Sequence, residues 1–200
     1  MARYTGPKVK QERREGVSLF GKNKRQRKDL PGSGTSKGRQ SRPSEYAIQM
    51  RETQKLKRTY GVLERQFSNI IKDALKSTGN SGTRLLQLLE LRLDNVVYKM
   101  NFAKSRMQAR QLVTHGHVKV NAKKLDIPSF RVSIGDEIEI DADVLAGLNI
   151  EEIKKSEAGN EPKIAWLDRS SNSGKVLLIP QRAELDQGIN ERLIIEFYSR

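Results

Sequence analysis

The apolar pattern changes its period at Gly116, and that change limits the folds open to this chain more than any other feature. Before it, apolar residues recur every three to four positions, as one buried face of a helix requires. After it, they alternate with polar residues, as a half-buried strand requires. Ser44 reads as the N-cap of a helix over 45–60, which Gly61 interrupts. Leu63, Phe67, Ile70, Ile71, Ala74 and Leu75 line a second helix over 62–77. A loop through Gly79-Asn80-Ser81-Gly82 ends at Thr83, which reads as an N-cap. Leu85, Leu89, Leu93, Val96, Val97 and Met100 then predict a helix over 84–100. Ser105-Arg106-Met107-Gln108 has capping-box spacing, and Gly116 stands where a left-handed C-cap ends the helix it opens.

Beyond Gly116, His117-Val118-Lys119-Val120 alternates, Asn121-Ala122-Lys123 turns, and Lys124-Leu125-Asp126-Ile127 returns. Residues 131–134 and 137–141 alternate across the turn pair Gly135-Asp136. Helices leading into a small antiparallel sheet make a compact α+β unit. Farther on, a weak helix is expected near 150–156, a loop over 158–162 and a strand over 176–179. The spacing of Ile189, Leu193 and Phe197 predicts a C-terminal helix.

Charge narrows the function. The chain has 200 residues, room for one domain or two small ones, and carries a net charge of +14. Residues 1–60 hold 17 Lys/Arg against 5 Asp/Glu, a net of +12. Within the period-switching unit, residues 91–131 are +7 (9 against 2) and residues 132–168 are −7 (3 against 10). Such segregation reads as a binding surface for a polyanion, with nucleic acid the first candidate. Residues 1–45 hold five Leu/Ile/Val/Phe, too few to offset their chain entropy. They read either as a solubilising tail or as an arm that orders on RNA.

Other classes fall away. No apolar run approaches the roughly 18 residues of a membrane span. The N-terminus has charge but no apolar core, so it does not read as a secretory signal. The absence of cysteine excludes disulfides, thiolate zinc and cysteine nucleophiles. His115 and His117 lack the pattern of a catalytic base or a metal site. Glu137, Glu139 and Asp141 share one strand face, the arrangement of a solvated surface. No Gly-rich run has the context of a phosphate cradle. What remains is a set of basic helix stripes: Arg51/Lys55/Arg58, Arg65/Lys72, Arg92/Lys99 and Arg106/Arg110, with Lys119, Lys123 and Lys124 beside the last. Aromatics make up only 6% of the chain and form no stacking platform, which favours a reader of RNA shape and backbone. The face carrying Arg106 and Arg110 is expected to be polar, so that charge reversal there weakens RNA binding without unfolding.

The runs Arg92-Leu93-Asp94-Asn95-Val96-Val97-Tyr98, Ser105 through Val113, and His115-Gly116-His117-Val118-Lys119-Val120-Asn121 resemble the RNA-binding module named after ribosomal protein S-four. That module also occurs in RNA-modifying enzymes such as pseudouridine synthases, so an enzyme bearing it is the alternative. The flanks Met1-Ala2-Arg3-Tyr4-Thr5-Gly6-Pro7-Lys8, Arg58-Thr59-Tyr60-Gly61 and the stretch from Ile189 to Arg200 extend the resemblance to the bacterial S-four ribosomal protein family over the whole chain.

The resemblance implies an α+β fold with three parts. These are a basic extended N-terminal arm over 1–44, a mainly helical rRNA-binding domain over 45–90 plus 171–200, and the inserted module over 91–170. The module pairs two helices with a small antiparallel sheet and has an acidic C-terminal part. The implied function is structural, not enzymatic. It is primary binding of the 5′ domain of small-subunit rRNA, nucleation of assembly, and a cytoplasmic place in the subunit near the mRNA channel, with influence on translational accuracy. Implied rRNA contacts are Arg3, Lys8, Arg13, Arg14, Arg51, Lys55, Lys57, Arg58, Tyr60, Arg65, Arg92, Arg106, Arg110, His115, Lys119, Asn121, Lys123 and Lys124. Arg39 and Arg42 align with residues that face incoming mRNA, though Gln40 stands where Lys is common. Implied neighbours are ribosomal proteins S-three and S-five, and some members also bind their own operon's mRNA. No cofactor is implied. Many members hold zinc through four N-terminal cysteines that this chain lacks, so none is expected here.

Overall fold

The computed structural model describes residues 4–20, 43–147, 164–185 and 188–199. They form two compact units, one from Met1–Leu85 with Asp186–Arg200, the other from Leu86–Leu185. The expected arm residues 3, 39 and 42, the helix near 150–156 and the loop over 158–162 lie outside the described residues.

The first unit opens with a helix where the sequence predicts an extended arm. Helix α1 (Lys8–Glu15) ends at Gly16, whose φ of +75° suits the left-handed C-cap. Glu12 is buried, and its Oε1 accepts hydrogen bonds from the backbone N–H groups of Leu19 and Phe20, each at 3.0 Å. That carboxylate folds the chain after α1 back over the helix and buries Leu19. A local hydrogen-bonding device thus supplies order that apolar content alone does not.

Helix α2 (Glu45–Tyr60) begins as expected, with Ser44 Oγ accepting from Ala47 N–H at 3.3 Å, and ends at Gly61. Helix α3 (Glu64–Lys76) buries Phe67, Ile70, Ile71 and Ala74, but leaves the ends of its predicted stripe, Leu63 and Leu75, exposed. Helix α4 (Ser81–Glu90) is capped by Asn80 rather than Thr83: Asn80 Oδ1 accepts from Gly82 N–H at 2.9 Å and Thr83 N–H at 3.2 Å.

The second unit corrects the predicted helix over 84–100. The chain breaks at Leu91–Arg92, and helix α5 (Leu93–Lys99) starts afresh. The break lets Arg92 form an isolated antiparallel bridge with Arg131, while Leu93 N–H donates to Phe130 O at 2.8 Å and Val132 N–H to Leu91 O at 2.9 Å. Backbone pairing across the unit replaces the helix ladder there. Helix α6 (Arg106–Thr114) has Ser105 Oγ accepting from Gln108 N–H at 3.3 Å. The Gln108 side chain reaches one residue beyond the cap, to Lys104 N–H at 2.7 Å. Gly116 follows with φ +75°.

Strands β1 (Val118–Val120), β2 (Lys123–Lys124), β3 (Glu137–Ile140), β4 (Leu167–Arg169) and β5 (Ser173–Val176) pair antiparallel in the order β2-β1-β3-β5-β4. The fold is α+β. Residues 131–134 supply only the bridge at Arg131, and the final strand lies at 173–176 rather than 176–179. Helix α7 (Ala142–Gly147) was not expected. On the inner face of the sheet, Val118, Val120, Ile138, Ile140 and Val176 pack with Leu93, Val96, Val97, Phe102, Leu112, Val113 and Trp166 in one buried cluster. Back in the first unit, helix α8 (Glu191–Tyr198) packs on α2, with the Phe197 and Tyr46 rings 5.6 Å apart.

Candidate nucleic-acid interface

Each candidate cation sits in one of two settings, held inside the fold or presented to solvent. In the first unit, the α2 stripe is largely tied down. Arg58 pairs with Glu15, and Arg51 lies 3.8 Å from the same carboxylate while donating to Arg14 O at 2.7 Å. Lys55 donates to Gly188 O and lies 3.7 Å from Glu52. Lys57 and Tyr60, both expected at RNA, are buried. Lys57 pairs with Glu64, which also accepts from the Tyr198 hydroxyl. Burial works to raise the Glu64 pKa, yet the hydrogen bonds from Lys57 and Tyr198 and the Lys57 charge together hold it below its ordinary value. Burial and then the Glu64 carboxylate push the Tyr198 phenol up. Of the predicted contacts, this unit presents Arg13, Arg14, Arg51 and Arg65 outward, and Lys72 of the α3 stripe is exposed as well. Lys8 is half-buried, its Nζ 5.7 Å from the centre of the Phe20 ring.

In the second unit, two of the predicted contacts are interior groups. Arg92 is 2% exposed and forks onto Asp94, with Nε to Oδ1 at 3.1 Å and Nη2 to Oδ2 at 2.7 Å. Arg110 is 8% exposed, 3.6 Å from the same Asp94 Oδ2. The face of α6 that carries Arg110 is therefore not a solvated polar face. Charge reversal at Arg110 would strike the fold, because it sets a second buried carboxylate beside Asp94 with the Arg92 cation alone to serve both. Asn121 is exposed but knits the hairpin to β3. Its Oδ1 accepts from Glu137 N–H at 3.0 Å, and its Nδ2 donates to Asp136 Oδ1 at 2.8 Å.

The remaining residues do face out. Lys119 and Lys124 stand directly opposite each other across β1 and β2, with Lys123 next in register opposite Val120. Lys119 lies 3.8 Å from Asp141, which also approaches His117 Nδ1 at 3.6 Å. His115 is exposed, its ring 6.2 Å from that of His117. Farther across the sheet, charges alternate in sign: Lys119 opposes Glu139, Glu137 opposes Lys175, and Lys175 opposes Asp168. Opposite-sign cross-strand pairs stabilise a solvated face, whereas like charges directly opposite destabilise one. The like-charge pair sets the β1–β2 hairpin apart from the rest of the sheet. Lys104 and Arg131 are also exposed on this unit. Sequence reading passed over both, one in a connector and one in an expected strand, although both belong to its basic excess.

Among the described residues, no group of three or more His, Asp or Glu is placed to hold a metal, and no helix is long and apolar enough to cross a membrane. A helical unit and a helix-and-sheet module with exposed cations on its hairpin define a structural, nucleic-acid-binding class of protein. Family models agree. Residues 3–90 match the ribosomal protein S4/S9 N-terminal domain and residues 91–138 match the S4 domain. Relatives named small ribosomal subunit protein uS4 align over the full length of both chains. The one from Thermus thermophilus is 46% identical over 212 residues, that from Herpetosiphon aurantiacus 46% over 211, and that from Persephonella marina 48% over 204. The chain belongs to the uS4 family of small ribosomal subunit proteins, which is structural and not enzymatic.

Proposed function

We propose that this chain is a primary rRNA-binding protein that engages the 5′ domain of small-subunit rRNA and nucleates folding of that domain during assembly. The observation that carries this reading is the opposed Lys119–Lys124 pair with Lys123 beside it. Three exposed ammonium groups on one short hairpin favour an anion close by, and a phosphate backbone supplies one at every nucleotide. The outward Arg13, Arg14, Arg51 and Arg65 of the helical unit offer further phosphate contacts. On this reading the buried Lys57, Tyr60, Arg92 and Arg110 scaffold that surface rather than touch RNA. In the subunit, the chain lies beside ribosomal proteins S-three and S-five where mRNA enters, with Arg39 and Arg42 toward the message, and so influences accuracy.

The test is filter binding to the 5′ domain of small-subunit rRNA, with unrelated folded RNA as competitor, across a salt series. Selective binding is expected. With about eight phosphates neutralised, the log–log salt slope should be on the order of −6 to −7. Equal, weak binding to both RNAs overturns the reading.

A further inference from the structure

Arg106 is held on two sides by groups of the second unit. Its Nε donates to Asn95 Oδ1 at 2.7 Å, and its guanidinium carbon lies 4.8 Å from the centre of the Tyr98 ring. Asn95 is 1% exposed, and its orientation is set from behind. Its Nδ2 donates to Glu90 Oε2 at 2.5 Å and to Glu90 O at 2.9 Å, so the oxygen end has to face Arg106. Glu90 is itself buried, at 2%. Three residues from the end of α4 and from α5 thus fix one side chain at the first position of α6. Unlike Arg92 and Arg110, Arg106 keeps part of its surface in solvent, and exposed Lys104 stands two residues before it. A free arginine loses rotamer entropy when it is immobilised on a ligand. An arginine already clamped has lost most of that on folding, so its contact with a phosphate is the stronger for it.

We infer that Asn95, Tyr98 and Glu90 are positioning residues that pre-set Arg106 as an anchor for an RNA phosphate. This rests on the RNA-binding function proposed for the chain and names a device within it. The Tyr98 ring holds the guanidinium plane by a cation–π contact, the Asn95 amide fixes its Nε edge, and the Glu90 carboxylate locks the amide.

The experiment is a double-mutant cycle on affinity for the rRNA 5′ domain, with urea stability measured alongside. Arg106→Gln should weaken binding roughly eightfold at 0.1 M salt and make the salt slope shallower by about 0.9, as expected when one phosphate is no longer neutralised. Tyr98→Leu should weaken binding roughly threefold, the size of a cation–π contact. Tyr98→Phe, which keeps the ring, should bind as the parent does. The double variant Tyr98→Leu/Arg106→Gln should bind no more weakly than Arg106→Gln alone, because Tyr98 acts only through Arg106. Effects that multiply, or an Arg106→Gln variant that binds like the parent, overturn the clamp while leaving RNA binding intact. A parent chain that fails to select the 5′ domain overturns both readings. Should Tyr98→Leu not fold, Arg106→Lys decides the matter. It keeps the charge and the salt slope but removes the Nε hydrogen bond, so weaker binding supports the clamp and parent-like binding overturns it.

Discussion

Two buried arginines, Arg92 and Arg110, share the carboxylate of Asp94, and neutralising it takes the forked anionic partner from Arg92 and a close anion from Arg110. Asp94→Asn should therefore destabilise the chain by about 3–5 kcal/mol, read from the urea midpoint. Charge counting along the sequence registers these residues only as part of a basic excess, since it cannot tell which arginines an acid two or sixteen positions away will take inside. The same blindness applies at Lys57, whose partner Glu64 lies seven residues on, across a helix junction. That pair carries a pH signature. The Glu64 pKa is held below its ordinary 4.5, so its contribution is present above that value and lost as pH falls through the folded-state value. The stability gap between the parent and Glu64→Gln should stay constant from neutrality down to about pH 5 and close in stronger acid. Tyr198 has the opposite sign. Its phenol is pushed above the ordinary 10.0, so its contribution is complete below that pH and is lost above it. In an absorbance titration, Tyr198→Phe should remove one late-ionising phenol and leave the others.

Elements were legible where a single force sets them. Ser44, Gly61, Ser105 and Gly116 mark helix ends by local backbone chemistry, and each sits at a helix end in the structure. The break at Leu91–Arg92 was not legible, because α4 and α5 both bury the one continuous stripe through Leu85, Leu89, Leu93 and Val96. The force that divides them is pairing with residues 130–132, which no local pattern records. Strand β5 hides for a similar reason. Gly174 lacks a side chain because a Cβ there would come within 2.7 Å of Met100 Sδ and 2.9 Å of Asp168 O, and glycine blurs the alternation. The β1–β2 turn breaks the usual rule from the other side. Its two central residues, Asn121 and Ala122, have φ of +51° and +64°, the left-handed pair that normally favours Asn-Gly. Alanine there is strained, so Ala122→Gly should raise stability by about 0.5–1 kcal/mol after glycine's greater unfolded-state entropy is subtracted. Thermal melting checks it, and a lower midpoint would mean that the turn is not under strain.

At the scale of the molecule, the cations of the described residues fall into two populations. One part pairs with acids of the fold, as at Asp94, Glu15 and Glu64, and contributes to folding. The other part is held outward, where it is open to the polyanion proposed above. The class of the molecule was legible from the sequence because segregation of charge survives both uses. The site was legible only in part because the division between the uses is made by tertiary contacts. The division itself is testable through Lys119, Lys123 and Lys124. Replacing all three with Gln removes a like-charge cross-strand pair, and gives up one 3.8 Å approach to Asp141 and the Lys119–Glu139 cross-strand pair, so stability should change by less than about 1 kcal/mol. Affinity for the rRNA 5′ domain should fall, and the salt slope should become shallower by about 2–3, one step for each phosphate left without its lysine. Asp94→Asn makes the converse case. It should lower stability steeply and, below the denaturation range, leave the slope as it was. Finding that the hairpin variant is the unstable one and that the Asp94 variant changes the slope would reverse the assignment of the two populations.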